Sequence, residues 1–338
     1  MTVLEIESFL YEAKGPIIDV RSPCEFSHAH IPGSLFLPLF TDEERAHVGT
    51  VYKQSGHDAA VLIGLKAVGP KLATLAKEIR KGLGDASCCR VTCFRGGMRS
   101  RSIAWLCDFL GFQTVRLDGG YKAYRQHVLS SFSRQYSFII LGGPTGSGKT
   151  NLLHELATNG VQTVDLEGLA NHRGSAFGLL PGVVQPSTEQ FENLLSEQLC
   201  SLDPNKPIVI EDESRMVGSC AIPKGIYEQM DLSPLIWLEE PFESRLARSI
   251  EAYGSLPKEW LQECTQKLMK RLGRERVSTV ISAIDSGDLQ EAASILLQYY
   301  DDAYSHSLLR HNRPVTHMSA QEALSRLLGS SQISLKSF

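Results

Sequence analysis

The sequence predicts two α/β domains in tandem, each with a parallel sheet, the second built on a phosphate-binding loop. Three observations carry this. Short apolar runs alternate with helical stretches, the pattern of parallel strands joined by helices. Residues Gly143-Pro144-Thr145-Gly146-Ser147-Gly148-Lys149-Thr150 fit G-x-x-x-x-G-K-[ST] in full. At 338 residues the chain is long for one core and suits two domains. The expected boundaries are 1–133 and 137–330, with the join just ahead of Phe138.

Composition narrows the class. The chain is 42% apolar and 21% charged with a formal net charge of −4, as in ordinary globular proteins. No apolar run reaches the roughly 18 residues of a membrane span, so none is expected. The first seven residues carry Glu5 and Glu7 where a secretory signal would carry bases. Eight cysteines lie scattered without disulfide-scaffold spacing, which predicts a reducing, cytoplasmic setting. Cys88, Cys89 and Cys93 find no second Cys/His pair at ligand spacing, so no metal centre is expected there. Residues 1–136 hold 17 bases and 13 acids, and residues 137–338 hold 17 and 25. Neither half has a strong basic excess, so a nucleic-acid partner must be argued from chemistry and local patches.

In the first half, Ile6 to Glu12 is expected as an amphipathic helix and Pro16 to Val20 as a buried strand. A long helix is expected from about Ala60 to Lys81, closed by Gly82 and Gly84. Strand Arg90–Thr92 then delivers the loop Cys93-Phe94-Arg95-Gly96-Gly97-Met98-Arg99-Ser100. Helix Ser102–Leu110, strand Thr114–Leu117 and the turn Asp118-Gly119-Gly120 follow. Cys93 stands at a strand end before a glycine-rich turn into a helix. Loop N–H groups, the helix N-terminus and Arg95, Arg99 and Arg101 favour thiolate over thiol there. The same cradle suits a persulfide, a perselenide or a bound oxyanion. Cys24, Cys88, Cys89 and Cys107 lack that setting and read as structural.

In the second half, strand Phe138–Leu141 runs into the phosphate loop and a helix carrying Leu152, Leu153 and Leu156. Gly143, Gly146 and Gly148 let the backbone approach an anion, and the loop and helix N–H groups, Ser147 among them, point inward. Lys149 adds a point charge, and Thr150 offers a hydroxyl to a phosphate-bound Mg2+. Strand Val161–Asp165 leads to a loop with His172 and Arg173, placed to meet a ligand at the carboxyl edge of the sheet. Strand Pro207–Ile210 ends in Glu211-Asp212-Glu213-Ser214-Arg215, where an acid should face magnesium; Asp212 and Arg215 are the candidates, although which acid points inward stays open. After strand Leu235–Leu238, Arg245 and Arg248 share a helix face and are expected to reach toward phosphates. From there the chain reads helical to near residue 330. Lys258 to Arg276 carries six bases against three acids, a solvated face or a nucleic-acid contact. A later helix, Asp288 to Leu309, with Tyr299, Tyr300 and Tyr304, is expected to pack.

Several of these stretches carry a resemblance. Asp19-Val20-Arg21 with Glu25, His30-Ile31-Pro32-Gly33, the Cys93 loop and Leu117-Asp118-Gly119-Gly120-Tyr121 resemble the rhodanese domain from end to end. One feature departs from it: five residues separate Cys93 from Arg99, where single-domain rhodaneses usually have four. Five is the spacing of cysteine-dependent phosphatases, and a larger loop can cradle a larger group. A rhodanese-like domain ahead of a P-loop, nucleoside-triphosphatase-like α/β domain with a helical C-terminal part resembles the tRNA 2-selenouridine synthase family over nearly the whole chain. Val48-Gly49-Thr50-Val51-Tyr52-Lys53 and Asn171-His172-Arg173-Gly174-Ser175 share in that likeness.

The resemblance implies a tRNA partner, engaged at the wobble 2-thiouridine of the anticodon stem-loop. It implies two steps: geranyl transfer from geranyl diphosphate to the sulfur, then replacement of the S-geranyl group by selenium from selenophosphate. The phosphate loop would hold the diphosphate beside an apolar pocket for the tail. Cys93 would be the candidate selenium carrier, with Arg95 and Arg99 orienting selenophosphate. Two other readings share these residues: a cysteine-dependent phosphatase, and a P-loop kinase or ATPase with a rhodanese-like binding module.

Overall fold

The computed structural model describes residues 2–308 and 313–329, without side chains for 304–308; Tyr304 and Leu309 of the later helix thus lie outside the described side chains or residues. The chain forms two compact units. One comprises Met1–Ser131 with Glu192–Glu197; the other comprises Phe132–Phe191 and the chain from Gln198 onward.

The first unit is a five-stranded parallel sheet with helices between its strands. In chain order it has β1 (Thr2–Leu4), a π-helical turn (Ser8–Glu12), β2 (Ile17–Asp19), α1 (Pro23–His28) and β3 (Leu35–Phe36). There follow α2 (Asp42–Val68), a 3-10 turn (Gly69–Lys71), α3 (Leu72–Leu83), β4 (Cys88–Thr92), α4 (Met98–Phe109), β5 (Gln113–Leu117) and α5 (Gly120–Ser131). The strand order is β1-β5-β4-β2-β3, every pair parallel, with Ile18 opposite Val91 and Arg90 opposite Val115. Central β4 therefore delivers Cys93 to the carboxyl edge of the sheet, where loops are free to carry chemistry. Leu75, Ile79 and Leu83 repeat every fourth residue along α3 and are buried against Ile18, Val91 and Ile103.

Two expectations change here. The helix expected from Ala60 begins at Asp42, capped by Thr41, whose hydroxyl accepts from the Glu44 N–H. Gly56, with φ 84°, breaks the helical geometry midway. The first part of α2 is mostly exposed and has no apolar period, so only its second half was visible as a pattern. Asp42–Leu83 also carries an 18-residue window of mean hydropathy 1.5, apolar enough by length and composition to cross a membrane where none was expected. The stretch is broken twice and gives α3 to the core, which fits the helix of a folded domain.

A buried ion pair anchors the end of β2. The Asp19 carboxylate accepts from Arg21 Nε at 2.9 Å and Nη2 at 2.7 Å, and Nη2 also donates to the Ala29 carbonyl. The guanidinium lies 3.7 Å from the centroid of the Tyr121 ring. Both side chains are buried. Asp19→Ala would leave a buried cation uncompensated and is expected to cost about 3–5 kcal/mol. Urea unfolding measures it, and a loss below about 1 kcal/mol would show that the pair is not a fixed part of this core.

The second unit opens with β6 (Phe138–Gly142), α6 (Lys149–Thr158), β7 (Thr163–Val164), α7 (Leu166–Leu169), α8 (Thr188–Ser201) and β8 (Ile208–Glu211). A hairpin of β9 (Met216–Val217) and β10 (Cys220–Ala221) leads to α9 (Lys224–Asp231), β11 (Leu235–Leu238) and α10 (Phe242–Tyr253). Then come α11 (Lys258–Lys267), α12 (Met269–Leu272), α13 (Arg274–Ser286), α14 (Leu289–Leu308), β12 (Val315–Met318) and α15 (Ala320–Gly329). The main sheet is parallel in the order β12-β11-β6-β8-β7. Every residue of β6 is buried, as a central parallel strand requires. The chain lays β7 and β8 on one side of β6 and then crosses to β11 and β12 on the other, so the carboxyl end of β6 is a switch point where a ligand can enter. Strand β12 corrects the expectation of an all-helical end. Its four residues, Val-Thr-His-Met, lie at the sheet edge and are mostly outside the core, so they show no apolar run. Helices α11, α13 and α14 build a second core around Phe177, Leu261, Val280 and Ala292.

Candidate functional site

Cys93 is buried at the end of β4. Its Sγ donates to Ser100 Oγ at 3.2 Å, and that hydroxyl donates to the Gly97 carbonyl. The loop lies against the turn before α5: Tyr121 N–H donates to the Cys93 carbonyl at 2.8 Å and Lys122 N–H to the Phe94 carbonyl. A Cβ at Gly120 would stand 2.2 Å from the Cys93 oxygen, so only glycine admits this approach, at φ 61°. Arg99 does not stand free. Its Nη1 and Nη2 donate to the two Glu25 carboxylate oxygens at 2.5 and 3.2 Å. Burial is the largest single influence and works against both charges, but their mutual hydrogen bond and charge attraction, with further neighbours, together outweigh it, holding the Glu25 carboxyl below its usual range and the Arg99 guanidinium above its own. Arg99 also lies close enough to Cys93 and to the Asp19 carboxylate to act on both electrostatically. Arg95 is exposed, near the Phe94 ring.

In the second unit, Gly143 to Gly148 wrap the carboxyl end of β6, and α6 starts at Lys149. Lys149 Nζ donates to the Gly143 carbonyl at 2.9 Å, spanning the loop. The Ser147 hydroxyl is buried without a hydrogen-bond partner, as in a cradle shaped for an anion. Thr150 follows in the first turn of α6. Arg245 and Arg248, expected to reach phosphates, hold the loop instead. Arg245 Nη1 donates to the Thr145 carbonyl at 3.2 Å and pairs in a fork with Asp301; Arg248 Nη1 donates to the Gly146 carbonyl at 2.8 Å. A Cβ at Gly146 would lie 2.9 Å from the Arg245 carbonyl oxygen, so α10 presses directly on the loop.

Beside Lys149, Glu167, Glu211 and Glu213 bring carboxylate oxygens within 4.8 Å of one another. Burial, then the charge of Glu167, pushes Glu211 well above the usual carboxylate range and Glu213 up to about 8; burial raises Glu167, against the pull of Lys149. Glu211 Oε2 is buried without a partner. Such a donor set fits a hard divalent cation.

Two families match the chain: the tRNA 2-selenouridine synthase AAA domain over residues 136–334 and the rhodanese-like domain over residues 5–127. The tRNA 2-selenouridine synthase of Pseudomonas fluorescens is 36% identical over 86% of this chain and 88% of its own length. The chain belongs to the tRNA 2-selenouridine synthase family. The enzyme of the same name from Pseudomonas putida strain W619 is 39% identical over 80% of this chain and 74% of its own. The solved N-terminal domain of a putative ATP/GTP binding protein from Clostridium difficile matches 38% of this chain and 99% of itself, at 38% identity and a TM-score of 0.36.

Within this tRNA 2-selenouridine synthase family member, the remaining expected residues divide. His172 is half-buried, its Nδ1 without a partner and its proton affinity lowered by burial. Arg173 is exposed, its guanidinium 5.7 Å from the Tyr253 ring centroid. Asp212 Oδ1 accepts from Arg313 Nη2 at 2.6 Å, while Glu211 and Glu213 gather with Glu167, and Glu167 and Glu213 face Lys149. Arg215 is exposed on the turn into β9 and makes no ion pair among the described residues. Glu167 and Arg313 carry no local mark in the sequence; Glu167 sits in the short helix α7, and its partners Glu211 and Glu213 are some 45 residues away.

The three glutamates set a pH dependence. Their protons are held in the folded chain but released by the unfolded chain above about pH 4.5. Folded stability should therefore fall as pH climbs from 4.5 toward 8. The metal-free chain is expected to melt lower at pH 8 than at pH 6, by roughly 2–4 °C for each kcal/mol lost. Glu211→Gln should flatten the difference, and Mg2+ should raise the melting temperature most at pH 8. Identical melting curves for both proteins at both pH values would show that the cluster ionises without strain.

Proposed function

We propose that this chain is a tRNA 2-selenouridine synthase acting in two steps on the wobble 2-thiouridine of a tRNA anticodon. In the first, the thiouridine sulfur attacks C1 of geranyl diphosphate; the C–O bond breaks, diphosphate leaves with the electron pair, and the base loses a proton. In the second, a selenium nucleophile derived from selenophosphate attacks C2 and expels the S-geranyl group as a thiol. Alkylation is what makes sulfur a leaving group.

One observation supports the first step most directly. Thr145 of the phosphate loop also lines an apolar cavity, together with Ser175, Phe177, Tyr253, Leu296 and Tyr300. It holds about 630 Å³ of atom-free space, partly open to solvent. A diphosphate in the loop would thus sit beside a place for a ten-carbon chain, whereas a nucleotide would set its polar ribose there. Lys149 and the loop N–H groups would stabilise the departing charge. Where a divalent cation is bound, Glu167, Glu211 and Glu213, whose unsatisfied Glu211 oxygen favours such a ligand, would hold it, and it would add positive charge near the diphosphate. The Cys93 loop, with Arg95 exposed at its rim, suits the selenium donor.

The test uses a 2-thiouridine anticodon stem-loop with geranyl diphosphate and selenophosphate, separately and together, and mass spectrometry of the digested nucleosides. An S-geranyl product with the first alone and a 2-seleno product with both is expected. An unchanged nucleoside with ATP hydrolysed instead would favour the kinase-like reading.

A further inference from the structure

Helix α4 breaks the usual rule for a surface helix. Its inner face buries Ser100, Ile103, Ala104, Leu106 and Cys107. Its outer face is not polar. At 100° per residue, Met98, Trp105 and Phe109 fall within about 40° of one another, opposite the buried side. They are 51%, 53% and 75% exposed. Trp105 and Phe109 stack on each other, ring centroids 5.7 Å apart at an interplanar angle of 24°, leaving their outer faces to solvent. Exposed apolar stripes of this kind mark interaction surfaces more often than chance packing.

Position and charge say what the stripe meets. The helix begins on the Cys93 loop, so the stripe runs outward from the thiol. Arg101 flanks it and Arg95 stands at its loop end; both are exposed, and neither makes an ion pair among the described residues. Phe94 adds another partly exposed ring. Asp108 is the one acid on that side of the helix. Aromatic faces with unpaired guanidinium groups are the recognition chemistry of unpaired RNA bases: bases stack on the rings, and arginines meet the phosphates. Met98 to Phe109 spans roughly 16 Å along the axis, the length of four to five nucleotides at 3.4 Å each.

We propose that the outer stripe of α4, Met98, Trp105 and Phe109 with Arg95 and Arg101, is the platform on which unpaired anticodon-loop bases stack, presenting the wobble base to the Cys93 loop. It rests on the reading that tRNA is the substrate and names the surface that meets it. Stacking supplies affinity without base identity, which suits an enzyme whose target base changes twice while bound.

The test is binding of a fluorescently labelled 2-thiouridine anticodon stem-loop to the full chain, followed by anisotropy. Trp105→Ala/Phe109→Ala should weaken binding about tenfold or more, the scale of one to two lost base stacks. Its salt dependence should stay as in the wild type. Arg95→Ala/Arg101→Ala should weaken binding and lower the slope of log K against log salt by about one. A fully paired RNA duplex should bind both aromatic forms alike. Trp105 emission should be quenched by the stem-loop, read as the difference between wild type and Trp105→Phe. Unchanged affinity in the aromatic double variant, with unchanged melting temperature, overturns the proposal. So does a wild-type dimer that the same variant converts to monomers without loss of RNA binding, which would assign the stripe to a second copy. Binding needs neither geranyl diphosphate nor selenophosphate, so this result stands apart from any failure of the two-step chemistry.

Discussion

Lys149→Ala is expected to lower S-geranyl formation on 2-thiouridine RNA by about 10²–10³-fold, the cost of losing one positioned donor to a developing anion. The reasoning is geometric. The Lys149 ammonium crosses the loop to the Gly143 carbonyl and faces the carboxylates of Glu167 and Glu213. It is the positive charge inside a cradle otherwise made of backbone dipoles. A diphosphate leaving from this loop would develop its charge against that ammonium, so the loss should appear in kcat more than in the binding of RNA. The substitution also strips the glutamates of their opposing charge and should raise their proton affinity further, which Glu211→Gln in the same background would relieve. Stem-loop binding and the melting temperature serve as controls. If Lys149→Ala geranylates within about threefold of the wild type, the diphosphate does not sit in this loop. Selenation of a pre-formed S-geranyl stem-loop should be nearly untouched, which separates the two steps.

Much of this architecture is legible in the sequence, and what is not has physical causes. The phosphate loop was legible because strand, glycines and lysine must be contiguous to form it. The Cys93 loop was legible for the same reason. What escaped depends on contacts distant in sequence. Arg99 reads in the sequence as an anion ligand, but Glu25, from α1, is hydrogen-bonded to its guanidinium. Arg245 and Arg248 carry the face expected of phosphate ligands, yet they grip the carbonyls of Thr145 and Gly146 from behind. In the run Glu211-Asp212-Glu213 the sequence does not say which acid points inward; alternation along the chain at the end of β8 sends Glu211 and Glu213 one way and Asp212 toward Arg313. Strands β1 and β12 are three and four residues long, at sheet edges, where exposure removes the apolar signal. Pairing, not pattern, makes them strands.

Cys93→Ala is expected to divide the reaction at its middle: S-geranyl nucleoside accumulates, and 2-seleno product falls by on the order of 10²-fold or more, as when a positioned reacting group is lost. The surroundings of the thiol hold it in a defined place. Its carbonyl and that of Phe94 are fixed by the N–H groups of Tyr121 and Lys122, and its Sγ is held by Ser100. The nearby Arg99 charge is locked by Glu25 and so acts on the sulfur from a fixed place. A loop built only to bind selenophosphate would need the arginines and the N–H groups, but not the sulfur. Selenation by Cys93→Ala at the wild-type rate, with selenophosphate as the sole selenium source, would therefore reduce the loop to a binding site. Ser100→Ala refines the comparison: it removes the hydrogen-bond partner of Sγ and leaves the sulfur itself. If the sulfur carries selenium, Ser100→Ala should slow selenation far less than Cys93→Ala and leave geranylation unchanged. If the loop merely binds the donor, both variants should leave kcat for selenation at the wild-type value.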